Sequence, residues 1–437
     1  MRTLIFALAL LTLPITAQAQ TAAPSAPASA QATPVQAAPE LTRRIDALPA
    51  LINGTGDFEG TFDASFKAQV PKAQFDALGA QLRAQHGKAV GIERVAPRTP
   101  HQAVVRVGFE KSVATIQIIV DPAPPHAVTG LLISQVEPRG DGLAQIEAEF
   151  RALPGTAAYG IYRLGDSRTP VAEYRGDAAM PLGSAFKLWV LAEAARQVQA
   201  GRRKWSDVVT LDTRSLPSGI TQNWPTGAPV TLHSLATLMI SISDNTATDT
   251  LLRALGRDAV DAMVARAGAS DPGATLPVLS TIEAFQLKSP GNADLAVAWK
   301  AAGPDGRRKL LRDNAGRLAA TRPDAAMFGP KPLALDVEWF ASPRDQAALL
   351  DWLRTRGGAE ALAIMAVNPQ TPGDADFAYA GFKGGSETGV IYGSWLVRTR
   401  AGQWYAVTGG WSRPDAAVET LTFMSLMQRL MRQVATR

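Results

Sequence analysis

The segment PLGSAFKLWVLAEAA, residues 181–195, places a serine and a lysine three positions apart where a helix is predicted to begin. Residues at positions i and i+3 share one face of a helix, so the side chains of Ser184 and Lys187 can meet. The free N–H groups and the dipole of a helix N-terminus favour negative charge developing near the serine oxygen. Serine is also a common N-cap and lysine a common helix residue. Alone, the pair predicts either a nucleophile with its base or a structural helix start.

A second feature, Ser243-Asp244-Asn245, lies between two stretches that are predicted to be helices, at 232–240 and 248–255. Serine, aspartate and asparagine are typical of turns, because their short polar side chains bond to nearby backbone groups. On its own the tripeptide predicts no more than a polar turn between two helices.

A third feature, FKGGS at 382–386, stands at the start of the predicted strand GVIYGSWLV. Glycines in a strand let another backbone or a ligand approach closely, and they are equally typical of a bulge. The feature alone leaves both a binding site and a purely structural strand entry open.

The three features together carry more information than any one of them. In chain order they follow the Ser-x-x-Lys, Ser-Asp-Asn and Lys-[Thr/Ser]-Gly motifs of class A β-lactamases and penicillin-binding proteins. Each stands at the helix start, loop or strand that the motif requires. The chain from about residue 150 to 437 therefore resembles a class A β-lactamase-like serine hydrolase.

This resemblance implies the catalytic roles. Ser184 would be the nucleophile and Lys187 its base, which requires the lysine to be neutral. Burial and the second cation, Lys383, would both lower the pKa of Lys187. Ser243 would relay a proton to the leaving nitrogen, and Lys383 would bind the substrate anion.

The resemblance also implies a substrate-binding set. Asn245 would hydrogen-bond an amide of the acyl side chain. The backbone N–H groups of Ser184 and Ser386 would form the oxyanion hole, with Gly385 between the third-motif lysine and Ser386.

The composition argues against other catalytic centres. The chain has no cysteine and only four histidines, so thiol chemistry and a Cys/His zinc site are not expected. It contains no Gly-x-Ser-x-Gly elbow, and the single histidine of its second half, His233, falls in an apolar helix. We therefore expect a lysine-based site that uses no metal and no cofactor.

One departure from the motifs concerns Gly384, which stands where the family carries a threonine or serine that grips the substrate carboxylate. Ser386 could replace that hydroxyl in part. The sequence therefore does not predict tight recognition of a penicillin-type carboxylate.

A second departure concerns the glutamate that activates the hydrolytic water in class A enzymes, within a Glu-x-x-x-Asn pattern. No such pattern lies between the second and third motifs, and the glutamates available are Glu283, Glu338 and Glu360. Glu338, in LDVEWFASPRD, precedes a Ser-Pro-x-Asp helix start that resembles the segment after the family's loop. It is the candidate for this role, and a glutamate in a structural turn is the alternative.

The first domain is predicted over residues 41–138. A helix that begins near Pro71 and ends at Gly87 precedes a series of β-branched strands, which indicates a small α+β unit. In element order this unit is similar to an NTF2-like, cystatin-like or steroid-isomerase-like module. The predicted strands are 103–110, 113–121 and 127–137, and the predicted apolar stripe of the helix is Phe75, Leu78 and Leu82.

The second domain is predicted over residues 140–437. Strand patterns stand at both of its ends and residues 185–365 are mostly helical, so we expect one antiparallel sheet packed against a helical lobe, an α+β fold. The predicted strands are 157–164, 170–175, 389–399 and 403–411, and the closing helix carries the stripe Leu421, Met424, Met427 and Leu430.

The N-terminal region predicts export. Residues 1–19 have the basic start, short apolar run and Ala-x-Ala ending of a cleaved signal peptide, with cleavage before Gln20. Residues 20–40 are rich in alanine, proline and serine and predict a flexible tether. No later stretch is long and apolar enough to span a bilayer, so we expect a periplasmic or secreted protein without stable membrane insertion.

Three functions remain open at this point. The leading hypothesis is a serine hydrolase that opens β-lactams or cleaves related esters or amides through an acyl-enzyme. The alternatives are a peptidoglycan D,D-carboxypeptidase or esterase, and a penicillin-binding protein without turnover. The expected partner is a small molecule rather than a nucleic acid, because a net charge of +5 is spread over 437 residues with no basic run. The oligomeric state is not predicted.

Overall fold

The computed structural model describes residues 35–139, 141–323, 327, 329–372, 377–435 and 437. The predicted signal peptide and residues 20–34 of the predicted tether lie outside these residues. The first helix begins at Pro39, so the last two residues of the predicted tether are helical.

The first unit contains five helices followed by a four-stranded antiparallel sheet in the order β1-β2-β3-β4. The three predicted strands are present, and β1 was not predicted. The similarity to an NTF2-like module remains a prediction. The elements are α1 (Pro39–Asp46), α2 (Leu48–Ile52), α3 (Phe58–Thr61), α4 (Ala64–Gln69), α5 (Lys72–His86), β1 (Ala89–Thr99), β2 (Gln102–Phe109), β3 (Ser112–Val120) and β4 (Val128–Pro138).

Helix α5 differs from its predicted stripe at one position. Phe75 and Leu82 are buried as expected, but Leu78 is 45% exposed. Gly79 is buried in its place, and a Cβ added there would lie 2.8 Å from the carbonyl oxygen of Ile52. The helix therefore approaches the backbone of α2 at its glycine, which turns Leu78 towards solvent.

The second unit is a five-stranded antiparallel sheet, order β11-β12-β13-β5-β6, with helices on both faces. The predicted antiparallel sheet packed against a helical lobe is confirmed. Its strands are β5 (Thr156–Leu164), β6 (Arg168–Tyr174), β11 (Phe377–Glu387), β12 (Val390–Thr399) and β13 (Trp404–Ser412), and the two-stranded pairs are β7 (Met180–Pro181) with β10 (Phe340–Ala341) and β8 (Val208–Thr210) with β9 (Pro229–Thr231).

Helices of the second unit fill most of the sequence between β6 and β11. Two others, the first and the last, flank the opposite face of the sheet and pack against each other. They are α6 (Leu143–Ala152), α7 (Lys187–Gln199), α8 (Leu232–Ser241), α9 (Asn245–Leu255), α10 (Arg257–Arg266), α11 (Thr281–Lys288), α12 (Ala293–Ala301), α13 (Pro304–Asp313), α14 (Ala315–Ala320), α15 (Pro343–Arg356), α16 (Gly358–Met365) and α17 (Thr420–Ala435).

The placement of FKGGS at the start of the strand GVIYGSWLV is wrong. These residues lie within β11, a separate edge strand, and a turn at Thr388 and Gly389 leads from it into β12. Gly389 has φ of +85°, in the left-handed region that favours glycine. A strand with three glycines shows little apolar alternation, which is why the pattern did not reveal it.

The closing helix, α17, also differs from its predicted stripe. Met427 and Leu430 are buried, but Leu421 is 83% exposed. A spacing of three residues falls about 60° short of a full turn at each step, so four such positions drift off one face. Phe423 and Val434 complete the buried face instead.

The two units meet along α17. Arg432 of this helix donates to Glu137 at the end of β4 over 2.6 Å, and Gln135 donates to the carbonyl oxygen of Ser425. No helix in the described part of the chain is long and apolar enough to cross a membrane.

We expect Leu430→Ala to lower the free energy of unfolding by about 2–5 kcal/mol, because it leaves a cavity between α17 and the sheet. The matched change Leu421→Ala, on the same helix but exposed, should cost roughly 0.5 kcal/mol or less. Urea denaturation of both variants measures the difference, and equal losses would contradict this orientation of α17.

Candidate active site

Ser184 lies in a short 3₁₀ turn, Gly183–Phe186, that leads directly into α7. The helix start that the sequence predicted is therefore the 3₁₀ turn, and the α-helix proper begins at Lys187. Gly183 has φ of +47°, and its N–H donates to Glu338 Oε2 over 3.1 Å. The ring of Phe186 stacks on Trp339 at 3.9 Å between centroids. The segment at 338–339 thus holds the turn from one side.

Lys187 is completely buried one turn into the helical segment. Its Nζ donates to the carbonyl oxygen of Ser243 over 2.7 Å, to Ser243 Oγ over 3.1 Å and to Asn245 Oδ1 over 2.7 Å. Burial and then the charge of Lys383 hold its pKa well below the usual lysine value, against the opposing effect of Asp249 and Asp244. The neutral amine, which can accept a proton, is favoured accordingly.

Ser243 connects the two motif lysines. Its Oγ lies 3.1 Å from Lys187 Nζ and 3.0 Å from Lys383 Nζ, so one hydroxyl bridges both amines. Its backbone has φ of +59°, a left-handed conformation that costs a serine about 1–3 kcal/mol. Such strain persists only where the surrounding contacts impose it.

Asp244 supplies those contacts. It caps α9 by accepting from the N–H of Ala247 over 2.9 Å, and its other oxygen accepts from the N–H groups of Ile220 and Thr221. The carboxylate therefore ties the second-motif turn to the loop at 219–221. This role of Asp244 was not predicted from the sequence, although an aspartate just before a helical segment is a typical N-cap signal.

Asn245 is nearly buried, and both ends of its amide have protein partners. Oδ1 accepts from Lys187, and Nδ2 donates to the carbonyl oxygen of Leu216 over 3.2 Å. The observed contact of this side chain is thus with Lys187 rather than with solvent. Its expected bond to an acyl side chain stays a prediction.

The third motif brings β11 against the 3₁₀ turn. A Cβ added at Gly385 would lie 2.1 Å from the carbonyl oxygen of Leu182 and 2.4 Å from the nitrogen of Ser184. The nitrogen of Ser386 would lie 3.0 Å from a Cβ at Gly183. Only a glycine allows this approach, which places the N–H-bearing nitrogens of Ser184 and Ser386 on two touching segments.

Lys383 points from the same strand towards the second motif. Its Nζ donates to Ser243 Oγ and to the carbonyl oxygen of Gly384. Burial lowers its pKa to about 7, so the ammonium loses its proton near neutral pH.

The nearest atoms to a side chain added at Gly384 belong to an aromatic ring. A Cβ there would meet the ring of Phe382 at 2.6 Å and the carbonyl oxygen of Tyr392 at 3.3 Å. The ring of Phe382 in turn packs on Trp395 with centroids 4.6 Å apart. The strand therefore presents an aromatic surface where the family carries a hydroxyl.

The three glutamates of the interval have different surroundings. Glu338 is buried beside the turn, and its Oε2 also accepts from the N–H of Trp339. Glu283 caps α11 and pairs with Arg257, and Glu360 pairs with His233 over 2.5 Å. Glu338 alone among the three borders the cavity next to Ser184.

A cavity of about 830 Å³ joins these elements. It brings together the predicted site residues Ser184, Ser243, Asn245, Lys383, Gly385 and Ser386, with Lys187 buried behind Ser243 and Asn245. Apolar side chains supply much of the remaining wall: Pro217, Ile240, Ile242, Trp339, Phe382 and Met424.

An antiparallel sheet flanked by helices, with a serine turn, a polar inter-helix turn and a glycine-rich edge strand around one cavity, defines the class of β-lactamase-like α+β proteins. The chain belongs to the Beta-lactamase enzyme family: the sequence model of that family matches residues 143–363, slightly more than half of the chain. The match ends before the third motif.

Solved structures similar to this chain include two described as β-lactamases. One is from Sphaerobacter thermophilus DSM 20745, with 23% identity over 68% of this chain and 97% of that one, and a TM-score of 0.47. The other is from Chitinophaga pinensis DSM 2588, with 15% identity over 67% of this chain and 97% of that one, and a TM-score of 0.47. A third, described as PBP-A, has 18% identity, covers 68% of this chain and 96% of that one, and has a TM-score of 0.45. No curated protein matches the chain.

The two glycines of the third motif should differ sharply on substitution. Gly385→Ala should lower the free energy of unfolding by about 2 kcal/mol or more, because its methyl group meets only backbone atoms that cannot move aside. Gly384→Ala is the matched control, since the nearest atom is the edge of the Phe382 ring, and it should cost roughly 1 kcal/mol or less. Denaturant unfolding of both variants tests this; a Gly385→Ala protein as stable as Gly384→Ala would contradict the close approach.

Proposed function

We propose that the protein is a serine hydrolase that acts on β-lactams or on related esters and amides through an acyl-enzyme. The observation that supports this most directly is the continuous contact from Lys187 through Ser243 Oγ to Lys383 beside the Ser184 turn, in one cavity. Membership of the Beta-lactamase enzyme family is in keeping with it.

In the proposed acylation step, Ser184 Oγ attacks the substrate carbonyl carbon while neutral Lys187 accepts its proton. The N–H groups of Ser184 and Ser386 stabilise the oxyanion of the tetrahedral intermediate. The carbonyl carbon then loses its bond to the leaving nitrogen or oxygen, which takes the proton through Ser243. Lys187 is neutral again at the end of this step.

Hydrolysis of the acyl-enzyme follows the same kind of step, with water as the nucleophile and Ser184 Oγ as the leaving group. A neutral Lys187 can accept the proton of the attacking water, directly or through Ser243, and return it to Ser184 Oγ when the ester bond breaks. This route requires no carboxylate base.

The aromatic surface at Gly384 favours neutral esters over carboxylate-bearing β-lactams as good substrates. A peptidoglycan carboxypeptidase and a penicillin-binding protein without turnover use the same acylation step, so they are the alternatives. The signal peptide predicted from the sequence gives a periplasmic or secreted location for any of the three.

The main test is trapping of the acyl-enzyme with a fluorescent penicillin and with a chromogenic acetyl ester. We expect Ser184→Ala to abolish labelling and ester cleavage by the folded protein, because loss of the hydroxyl at a helical turn costs stability only about 1 kcal/mol. Persistent label on the wild type would identify a binding protein, and transient label a hydrolase. Hydrolysis by Ser184→Ala at the wild-type rate would remove the basis of the proposal.

The pKa of Lys383 gives a second prediction. Because burial lowers this pKa to about 7, the ammonium is present below pH 7 and is lost as the pH rises through 7. KM for a carboxylate-bearing β-lactam should therefore rise roughly tenfold between pH 6 and pH 8.5, the size of one charge-assisted hydrogen bond. KM for the neutral acetyl ester should stay level over the same range. Parallel changes on both substrates would contradict an anion-binding role for Lys383.

A further inference from the structure

A buried ion cluster lies beside the Ser184 turn. Lys288, the last residue of α11, donates to Glu338 Oε1 over 3.0 Å and to the two carboxylate oxygens of Glu387 over 2.6 and 2.7 Å. The side chains are 3%, 2% and 15% exposed. Removing an ion pair from water costs several kcal/mol per ion before the attraction is counted, so such a cluster is a poor way to gain stability alone.

Each carboxylate of the cluster is attached to one side of the oxyanion hole. Glu338 Oε2 accepts from the N–H of Gly183, the residue before Ser184. Glu387 is the residue after Ser386 on β11. Lys288 therefore joins two segments whose N–H groups must converge on one oxygen atom.

We propose that Lys288, Glu338 and Glu387 are positioning residues that set the separation and direction of the Ser184 and Ser386 N–H groups; this rests on the proposed function. The backbone contact at Gly385 brings the two segments together, and the cluster fixes their rotation about that contact. Neither carboxylate touches the reacting atoms in this role.

The hydrogen bonds of Glu338 separate this role from that of a water-activating base. Oε2 accepts from two backbone N–H groups, those of Gly183 and Trp339, and Oε1 accepts from Lys288. Protein donors therefore occupy three of the roughly four lone-pair positions of this carboxylate, which favours a positioning role over contact with a water in the cavity.

Glu387 keeps the cluster from carrying a large net negative charge. Its burial raises its pKa to about 8, and the charge of Glu338 adds to this rise while Lys288 opposes it. The raised pKa favours the protonated form of Glu387, which lowers the negative charge beside the Ser184 turn.

A positioning role and a water-activating role for Glu338 predict different kinetics. Both tetrahedral intermediates, in acylation and in deacylation, place their oxyanion in the same hole, so a displaced donor slows both steps. Loss of a whole donor costs about 100–1000-fold, and a displaced donor should cost roughly tenfold or more. A water-activating base acts in deacylation alone, and its loss would make the acyl-enzyme accumulate.

The test compares Glu338→Ala, Glu338→Gln and Lys288→Met with the wild type, using a chromogenic acetyl ester. Rapid mixing gives the acylation rate and mass spectrometry of the quenched protein gives the deacylation rate. We expect Glu338→Ala and Lys288→Met to slow both steps by roughly tenfold or more with little change in KM. Glu338→Gln should lose less, because its amide oxygen can still accept from Gly183. Asp261→Asn, which removes the charge of buried Asp261 beside the partly exposed Arg308 and lies outside the cavity lining, is the control and should leave both rates unchanged.

Hydrogen–deuterium exchange supplies a readout that does not depend on activity. The amides of residues 183–186 should exchange faster in Glu338→Ala than in Asp261→Asn, with both variants shown to be folded by circular dichroism. Should Glu338→Ala fail to fold, Glu338→Gln and Glu387→Gln carry the same comparison. A selective loss of deacylation, or unchanged rates with unchanged exchange, overturns the proposal. If no substrate acylates the wild-type protein, the proposed function is wrong. The hydrogen–deuterium exchange data then still test whether the cluster positions the turn.

Discussion

The backbone contact between β11 and the Ser184 turn is the constraint on which the rest of the site depends. At Gly385 the strand approaches so closely that a single methyl group would overlap three backbone atoms of the turn. The edge strand is thereby joined to the first helix of the helical lobe without any side chain in between. The segment before β10 contacts the turn through the hydrogen bond from Gly183 to Glu338 and through the stacking of Phe186 on Trp339, and the end of α11 bonds in turn to Glu338.

Three buried lysines lie near this contact, and they differ in the charge of their hydrogen-bond partners. Lys288 lies between two carboxylates, so its charge is matched and it acts as a fixed cation. Lys187 and Lys383 share one serine hydroxyl and bond to neutral oxygen atoms, so burial is unopposed by a direct carboxylate partner and lowers the pKa of each. The difference in partners, rather than in depth, separates a structural lysine from lysines suited to proton transfer.

The motif residues could be predicted because each motif is a short stretch of consecutive residues. The order of the three motifs along the chain carried the family resemblance, and the resemblance implied the fold. Lys288 and Glu387 were not found in this way, since 99 positions separate them and only tertiary folding joins them. The glycine-rich strand β11 was not predicted either, because its three glycines interrupt the apolar alternation and its pairing with β12 forms only in the folded sheet. Leu78 and Leu421 were predicted to be buried but are exposed. Helix periodicity predicts the buried face only approximately. At its edge, the close approach of a neighbouring backbone (Leu78) or the angular drift of the pattern (Leu421) decides which residue is buried.

The two departures from the family motifs have a common physical consequence. Gly384 leaves an aromatic surface in place of a carboxylate grip, and Glu338 is committed to the turn, so neither contributes a polar group free to act on substrate or water. The polar groups that the proposed mechanism uses are the hydroxyl of Ser184, the Lys187–Ser243–Lys383 chain and two backbone N–H groups. In the proposed mechanism, Lys187, whose pKa is lowered by burial, therefore accepts and returns a proton in acylation and again in deacylation.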